Sequence, residues 1–137
     1  VKGSAMIRKL PLLNKDNAAF WQQGAFNNLM IHHCASCQKY FHPPAPVCLQ
    51  CLSEDVMPKK VSGKGTVASF TINHQKWHPD LEVPYIIAII ELTEQKGLRF
   101  VSNIVEMSPD EVFIGMPVSV IFEEIDDIWL PLFKKEA

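Results

Sequence analysis

The segment at residues 34–51, CASCQKYFHPPAPVCLQC, decides how the first half of this chain folds, because it holds all four of its cysteines. They form two C-x-x-C pairs, Cys34 with Cys37 and Cys48 with Cys51. A two-residue gap lets both thiolates of a pair turn toward one point, and two pairs supply the tetrahedral set that zinc takes at about 2.3 Å. The spacing predicts a structural zinc site, since four cysteines leave no open coordination position.

Disulfide bonds, an iron site and a degenerate metal site are the alternatives at this position. Neither pair has a glycine after its second cysteine, where Gln38 and Leu52 stand instead. Residues 31–60 contain four prolines and no glycine, and they are too poor in apolar residues to build a core of their own. Metal ligation is therefore expected to supply the folding free energy of this segment.

Upstream of the cysteines, residues 14–30 have a partly helical pattern. Asp16 or Asn17 can cap a helix that runs toward Gly24. Phe20, Trp21 and Phe26 are a large apolar load for so short a stretch. They are expected either to pack on the rest of the chain, which is favoured, or to form a docking surface for a partner protein.

Downstream, residues 61–133 have the pattern of short strands. Ala68, Phe70 and Ile72 alternate with polar residues, which is typical of a half-buried strand. The run Tyr85–Leu92 is continuously apolar and β-branched, and it predicts a strand that is buried on both faces. A turn at residues 94–97 and a second alternating run at residues 98–105 predict a hairpin.

The last part of the chain adds one helical turn and two strands. Ser108-Pro109-Asp110-Glu111 is a capping box with proline at the first helical position, and Gly115 stands where a C-terminal cap belongs. Residues 118–123 alternate, and residues 128–133 form a final apolar run whose proline suits an edge strand. About five short strands favour a small barrel, with the OB-fold as the leading candidate.

The predicted architecture is mainly β, with three parts. They are an N-terminal helical segment at residues 6–30, a rubredoxin-like zinc ribbon at residues 31–60, and a five-stranded OB-fold barrel at residues 61–137. Residues 1–5, VKGSA, have the composition of a cloning remnant. No apolar run approaches the 18 or so residues of a membrane span, and no leader pattern is visible, so a cytoplasmic protein is expected.

The charge balance and the residue types disfavour some classes of function. Residues 61–133 contain four basic and eleven acidic residues, a balance that disfavours nucleic-acid binding although zinc ribbons and OB-folds often bind nucleic acid. No nucleophile arrangement is legible, and no catalytic residue is predicted. The acidic run from Glu123 to Asp127 could serve a stand-alone enzyme, but such a run is more often a solvated loop.

Several motifs along residues 16–133 resemble those of one known family. The marks are Phe20-Trp21, the two cysteine pairs, Phe41-His42-Pro43-Pro44, Gly63-x-Gly65, Pro84-Tyr85, and the run from Ile114 to Val118. In this order and spacing the chain resembles the acyl-CoA-associated proteins that combine a helical segment, a zinc ribbon and an OB-fold, long catalogued as a domain of unknown function.

The resemblance implies a non-catalytic accessory subunit in a hetero-oligomer. Members of the family partner thiolase-superfamily enzymes, or hydratases and aldolases that act on acyl-CoA. The helices and ribbon are expected to contact the partner, and the OB-fold is expected to help hold or channel the CoA thioester. In this chain the nearest candidates for contacts with CoA are Lys64, Lys76, Trp77 and Arg99. The acyl group remains open.

Overall fold

The computed structural model describes residues 10–77, 79 and 82–136, and the possible cloning remnant lies outside them. The described chain begins with a helix, α1 (Ala18–Gln22), that continues into a 3₁₀ helix (Gln23–Phe26). Three strands follow: β1 (Leu29–Cys34), β2 (Lys39–Phe41) and β3 (Val56–Val61). The second half contains β4 (Lys64–Asn73), β5 (Tyr85–Leu92), β6 (Arg99–Val105), a 3₁₀ turn (Pro109–Glu111), β7 (Pro117–Ile125) and β8 (Ile128–Lys135).

The N-terminal helix is shorter than the predicted helical stretch. Asn17 stands at the N-cap position, but its side chain bonds to Asn14 N and Leu12 O and therefore orders the approach to the helix. The 3₁₀ helix ends at Asn27, whose φ of 64° lies in the left-handed region. From Leu29 onward the chain is already a strand.

The cysteine segment is built on a three-stranded antiparallel sheet in the order β2-β1-β3. Tyr40 of β2 pairs with His33, and Val61 of β3 pairs with Leu29. Strand β1 ends at Cys34, so the first metal-binding turn grows directly from the sheet. The structure is therefore mostly β and contains a ribbon, which confirms the predicted fold class.

The second half is a closed barrel in the order β4-β5-β6-β8-β7. All pairings are antiparallel except that of β6 with β8, which is parallel at Ile104 with Phe133 and Val105 with Lys134. A small five-stranded barrel of this kind is the OB-fold architecture, and this confirms the predicted barrel. The predicted hairpin is the β5–β6 pair.

Strand β5 corrects the prediction that both of its faces are buried. Every second residue, from Ile86 to Leu92, is buried in the barrel, whereas Ile89 on the other face is 37% exposed. A barrel strand has one interior face and one exterior face, and the exterior of this strand is apolar in places. In β4 a register shift between Val67 and Ser69 places Val67 in the interior ahead of the predicted alternation.

The later turns also differ in detail from the sequence pattern. The side chain of Ser108 bonds to the carboxylate of Asp110 and does not cap the backbone of the 3₁₀ turn. Gly115, with φ +90°, lies in a later turn that precedes β7. The acidic run is mostly strand: Glu123 is 3% exposed, and Asp126 and Asp127 form the tight turn between β7 and β8 with φ values of 50° and 67°.

One hydrophobic core extends through the helix, the ribbon sheet and the barrel. Phe20 of α1, Leu29 and Ile31 of β1, and Val61 of β3 belong to the same buried cluster as the barrel interior. The helix and the ribbon sheet are therefore fixed to the barrel by shared apolar contacts. Within the described residues, no helix has the length and apolar character needed to cross a membrane.

Candidate metal centre and adjoining cleft

The two C-x-x-C turns bring the four thiols to one point. All four Sγ atoms lie within 4.8 Å of one another, with 3.6 Å between Cys34 and Cys51 and 3.7 Å between Cys37 and Cys48. A tetrahedron with zinc–sulfur bonds of about 2.3 Å has sulfur–sulfur edges of about 3.8 Å. The two short distances match these edges, so the cluster has the size of a zinc site, and no disulfide joins the thiols.

Backbone N–H groups point at the first sulfur of each pair. Cys37 N donates to Cys34 Sγ at 3.5 Å, and Cys51 N donates to Cys48 Sγ at the same distance. These hydrogen bonds favour the thiolate form: they lower the pKa of Cys34, and together with the N–H of Gln50 they lower the pKa of Cys48 to about 6. Burial instead raises the pKa of Cys37 to about 12. A metal ion bound here would therefore displace a proton from Cys37.

The residues after the two pairs have the backbone conformation that a glycine would adopt easily. Gln38 has φ 60° and Leu52 has φ 65°. Gln38 N donates to Cys34 O at 2.8 Å, and Leu52 N donates to Cys48 O at 3.1 Å. Both turns therefore close in the same way although the glycine is absent from the sequence.

Few apolar side chains hold the metal-binding turns together. Their buried cluster consists of Cys34, Cys48 and Phe41, with partly buried neighbours such as Ala45 and Val56. Such a cluster is small against the barrel core, so this part of the chain depends on its thiol cluster for order.

A cleft of about 730 Å³ lies beside the ribbon, where β6 and β8 separate. Their parallel pairing covers only two residue pairs, and two residues ahead of it Ser102 Oγ donates to Pro131 O at 2.7 Å. The N-terminal segment and the loop at residues 42–44 form the opposite walls. The lining residues are Pro11, Asn14, Asp16, Asn17, Phe20, Trp21, His42, Pro43, Pro44, Arg99, Phe100, Val101, Ser102, Asn103, Leu130, Pro131 and Leu132.

His42 is the functional candidate that the sequence analysis missed. Its ring lies 4.9 Å from the ring of Phe20 and 5.3 Å from that of Phe100, and its Nδ1 is buried without a hydrogen-bond partner. Burial, and to a smaller extent the charge of His32, lower the pKa of His42 to about 4, so the ring is neutral at pH 7. The motif Phe41-His42-Pro43-Pro44 was the available signal, but it indicated only a family resemblance.

The structure places the four residues predicted to contact CoA at two ends of the barrel, and their contact with CoA stays a prediction. Arg99 lines the cleft, where its Nε bonds to Glu91 at 2.8 Å, and Lys64 at the same end of the barrel pairs with Glu136 at 2.9 Å. Lys76 and Trp77 follow the opposite end of β4, about 30 Å away at about 3.3 Å per strand residue. Trp77 is 75% exposed and its Nε1 donates to Asn73 Oδ1.

The three aromatic residues predicted to dock a partner have different surroundings. Phe20 is only 5% exposed and belongs to the core, as the favoured expectation of packing on the rest of the chain has it, and it offers no surface for a partner. Trp21 is half-buried and lines the cleft. Phe26 is 72% exposed and is the one of the three that faces solvent.

The four-thiol ribbon joined to a closed five-stranded barrel defines the class: a zinc-ribbon/OB-fold protein. Comparison with family models agrees in both halves. Residues 21–56 match the rubredoxin-like zinc ribbon domain of ChsH2, and residues 59–123 match its C-terminal OB-fold domain.

Two individual relatives establish the family to which this chain belongs. A DUF35 domain-containing scaffold protein of Methanocaldococcus jannaschii is 34% identical over 69% of this chain and 67% of its own length. A solved chain of the Ltp2-ChsH2(DUF35) aldolase is 40% identical, with a TM-score of 0.79 over 92% of this chain and 98% of that chain. The chain therefore belongs to the DUF35 family, which confirms the predicted resemblance.

A third relative is longer than this chain. A probable enoyl-CoA hydratase alpha subunit of Thermomonospora curvata is 40% identical over 93% of this chain. The chain spans only 40% of the length of that relative.

Proposed function

We propose that this chain is an accessory subunit of an acyl-CoA enzyme, that it binds a thiolase-superfamily large subunit, and that it helps hold the CoA thioester. The observation that carries the role of accessory subunit is the likeness to a chain of the Ltp2-ChsH2(DUF35) aldolase over nearly the whole of both chains, whereas the thiolase-superfamily partner rests on the resemblance of the sequence motifs. In this proposal the catalytic groups belong to the partner. The four cysteines serve as ligands of a structural zinc ion that orders the ribbon.

An acyl-CoA hydratase subunit is the second candidate for the partner. The name of the Thermomonospora curvata relative favours it, since that protein is called a probable enoyl-CoA hydratase alpha subunit. An aldolase is favoured by the solved relative. In each case the partner would supply the catalytic groups, and this chain would help hold the CoA thioester.

Surface positions indicate where contacts with the partner and with CoA would form. Phe26 is a large exposed aromatic side chain beside the ribbon, and it is the proposed docking residue. Lys64 lies at one end of the barrel and is the proposed contact for the CoA phosphates, because it carries a positive charge at the surface, and Arg99 at the same end is the proposed contact for the acyl part of the thioester. Lys76 and Trp77 at the other end are a separate proposed contact surface.

Co-purification tests the proposal. The tagged chain is mixed with untagged thiolase-like and hydratase subunits from the same genome, and complexes are measured by size exclusion with light scattering. We expect one of these subunits to be retained and its activity on an acyl-CoA to rise. A chain that stays alone and leaves the activity of every candidate unchanged contradicts the proposal.

A pair of matched variants locates the contact. Phe26→Glu places a charge at a phenylalanine that is 72% exposed, and Phe113→Glu does the same at one that is 49% exposed on the barrel. We expect Phe26→Glu to weaken the complex by at least about tenfold, because a buried unpaired charge is costly, while Phe113→Glu leaves it unchanged.

A further inference from the structure

The cleft between β6, β8 and the N-terminal segment has the size and surface of a small-molecule site. Its volume of about 730 Å³ falls within the roughly 300–1,000 Å³ that is usual for such sites. Its walls are largely apolar: they include Phe20, Trp21 and Phe100, together with four prolines and two leucines. Val101 contributes an apolar side chain that is 64% exposed.

Most polar side chains of the cleft are already bonded within the chain. Asn14 Oδ1 accepts from the backbone N–H groups of Asp16 and Asn17. Ser102 donates to Pro131 O, and Asn103 Nδ2 donates to Ile86 O at 2.7 Å. Among the described residues of the lining, the side-chain donors left for a ligand are on His42, Arg99, Trp21 and Asn14, and of these only Arg99 carries a charge.

The position of the proton on His42 follows from its surroundings. The neutral ring carries one proton, and Nδ1 is buried with no acceptor in reach. A proton on Nδ1 would be a buried donor without a partner, so the proton belongs on Nε2. Since Nε2 is not among the buried unpartnered atoms, it presents an N–H donor at the accessible side of the ring.

The charges around the cleft argue against phosphate as its ligand. The Nε of Arg99 is already engaged by Glu91, and the carboxylate of Asp16 stands on the facing wall. What remains is an apolar space with a few side-chain donors and little net positive charge. A neutral carbonyl oxygen on an apolar body matches this combination.

We infer that this cleft holds the apolar acyl group of an acyl-CoA thioester, with its carbonyl oxygen accepting from His42 Nε2 or the Arg99 guanidinium. The inference rests on the proposed function, because it assigns the acyl part of the same thioester to this chain. A free apolar carboxylic acid is ionised at pH 7 and would place a negative charge near Asp16, so the thioester matches the cleft better than the acid does. The phosphates of CoA lie outside the cleft.

Calorimetric titration of the full chain tests the inference. The probes are octanoyl-CoA and 2-naphthoyl-CoA, with CoA and octanoate as comparisons. We expect at least one of the acyl-CoA probes to bind at least about tenfold more tightly than CoA. Octanoate that binds as tightly as octanoyl-CoA contradicts the assignment of a neutral thioester carbonyl to the cleft. Acyl-CoA affinities within twofold of that of CoA overturn the inference.

Two exposed positions provide a matched pair of variants. Val101→Lys places a charge in the cleft, and Ile114→Lys places one at a residue that is 68% exposed outside the cleft lining. We expect Val101→Lys to lower affinity for the acyl-CoA by at least about tenfold without changing affinity for CoA, and Ile114→Lys to change neither. Equal effects of the two variants contradict the inference, provided that both unfold at the temperature of the unmodified chain.

A variant of His42 addresses the hydrogen bond. His42→Phe keeps an aromatic ring against Phe20 and Phe100 but removes Nε2, and we expect about a fivefold loss of acyl-CoA affinity. Unchanged affinity in both His42→Phe and Arg99→Gln would refute the assigned donors. A chain that binds its large subunit but shows no preference for acyl-CoA leaves the proposed function standing and removes only the inference about the cleft.

Discussion

At the scale of the residue, the two positions that follow the cysteine pairs adopt the left-handed backbone conformation that usually favours glycine, and both turns still close. Gln38 and Leu52 both have positive φ, although neither is glycine. A side chain in this region costs about 1–2 kcal/mol, because Cβ approaches the carbonyl oxygen. The turns persist because each closes a backbone hydrogen bond and directs a thiol to the shared cluster.

Leu52→Gly is predicted to stabilise the chain by about 0.5–1 kcal/mol, since relief of the strained φ exceeds the added entropy of the unfolded glycine. The side chain of Leu52 is 72% exposed, so little packing is lost. Denaturant unfolding of the zinc-loaded protein measures the change. Leu49→Gly in the same turn is the control, because Leu49 does not have positive φ, and it is expected to destabilise. Equal destabilisation by both substitutions would mean that the φ of Leu52 carries no cost.

At the scale of the element, the short N-terminal helix depends on close contact with the barrel. A Cβ atom at Gly24 would lie 2.5 Å from Phe122 Cδ1 and 2.6 Å from Trp129 Cβ. The 3₁₀ helix therefore approaches β7 and β8 at a distance that only glycine permits. This contact fixes the wall of the cleft that contains Phe20 and Trp21.

Gly24→Ala is predicted to destabilise the chain by about 1–3 kcal/mol, because the added methyl group forces the 3₁₀ helix away from the barrel. Differential scanning calorimetry measures the loss of stability, and hydrogen exchange of residues 18–26 locates it. Ala25→Ser adds one atom at the exposed neighbouring position and should have little effect. A Gly24→Ala protein with unchanged stability would show that the helix can shift without cost.

At the scale of the whole molecule, the ribbon and the barrel share one core but not one source of stability. The strands of the ribbon contribute Leu29, Ile31 and Val61 to the main cluster, while the metal-binding turns have only a small cluster of their own. The amide of Gln95 adds two hydrogen bonds, since its Oε1 accepts from Tyr40 N at 2.8 Å and its Nε2 donates to Tyr40 O at 3.0 Å.

Metal removal should therefore disorder one part of the chain and leave the other intact. Freshly prepared protein is expected to contain about one zinc ion per chain by elemental analysis. After chelation, residues 34–53 should lose protection from hydrogen exchange, while β4–β8 keep theirs because the barrel core does not include the thiols. Re-addition of zinc is the control. Simultaneous loss of protection in the barrel would show that the metal-binding turns and the barrel unfold as one unit.

The sequence was sufficient where structure depends on near neighbours. The cysteine pairs predicted the thiol cluster, because a two-residue gap fixes the relation of the two sulfurs within one turn. Alternating runs predicted the barrel strands, because side chains of a strand alternate with a period of two. The outer face of β5 was missed because Ile89 is apolar on an exposed face, and composition cannot distinguish an interior isoleucine from an exterior one.

The sequence by itself determined the class of fold and the set of thiols, since both follow from spacings of a few residues. Only the tertiary structure decided that Phe20 is buried against Phe100, that His42 lies in the wall of a cleft, and that the predicted CoA contacts lie at opposite ends of the barrel. These relations join residues that are far apart in the chain. They depend on strand register, on the separation of β6 from β8, and on the close approach at Gly24, none of which local spacing encodes.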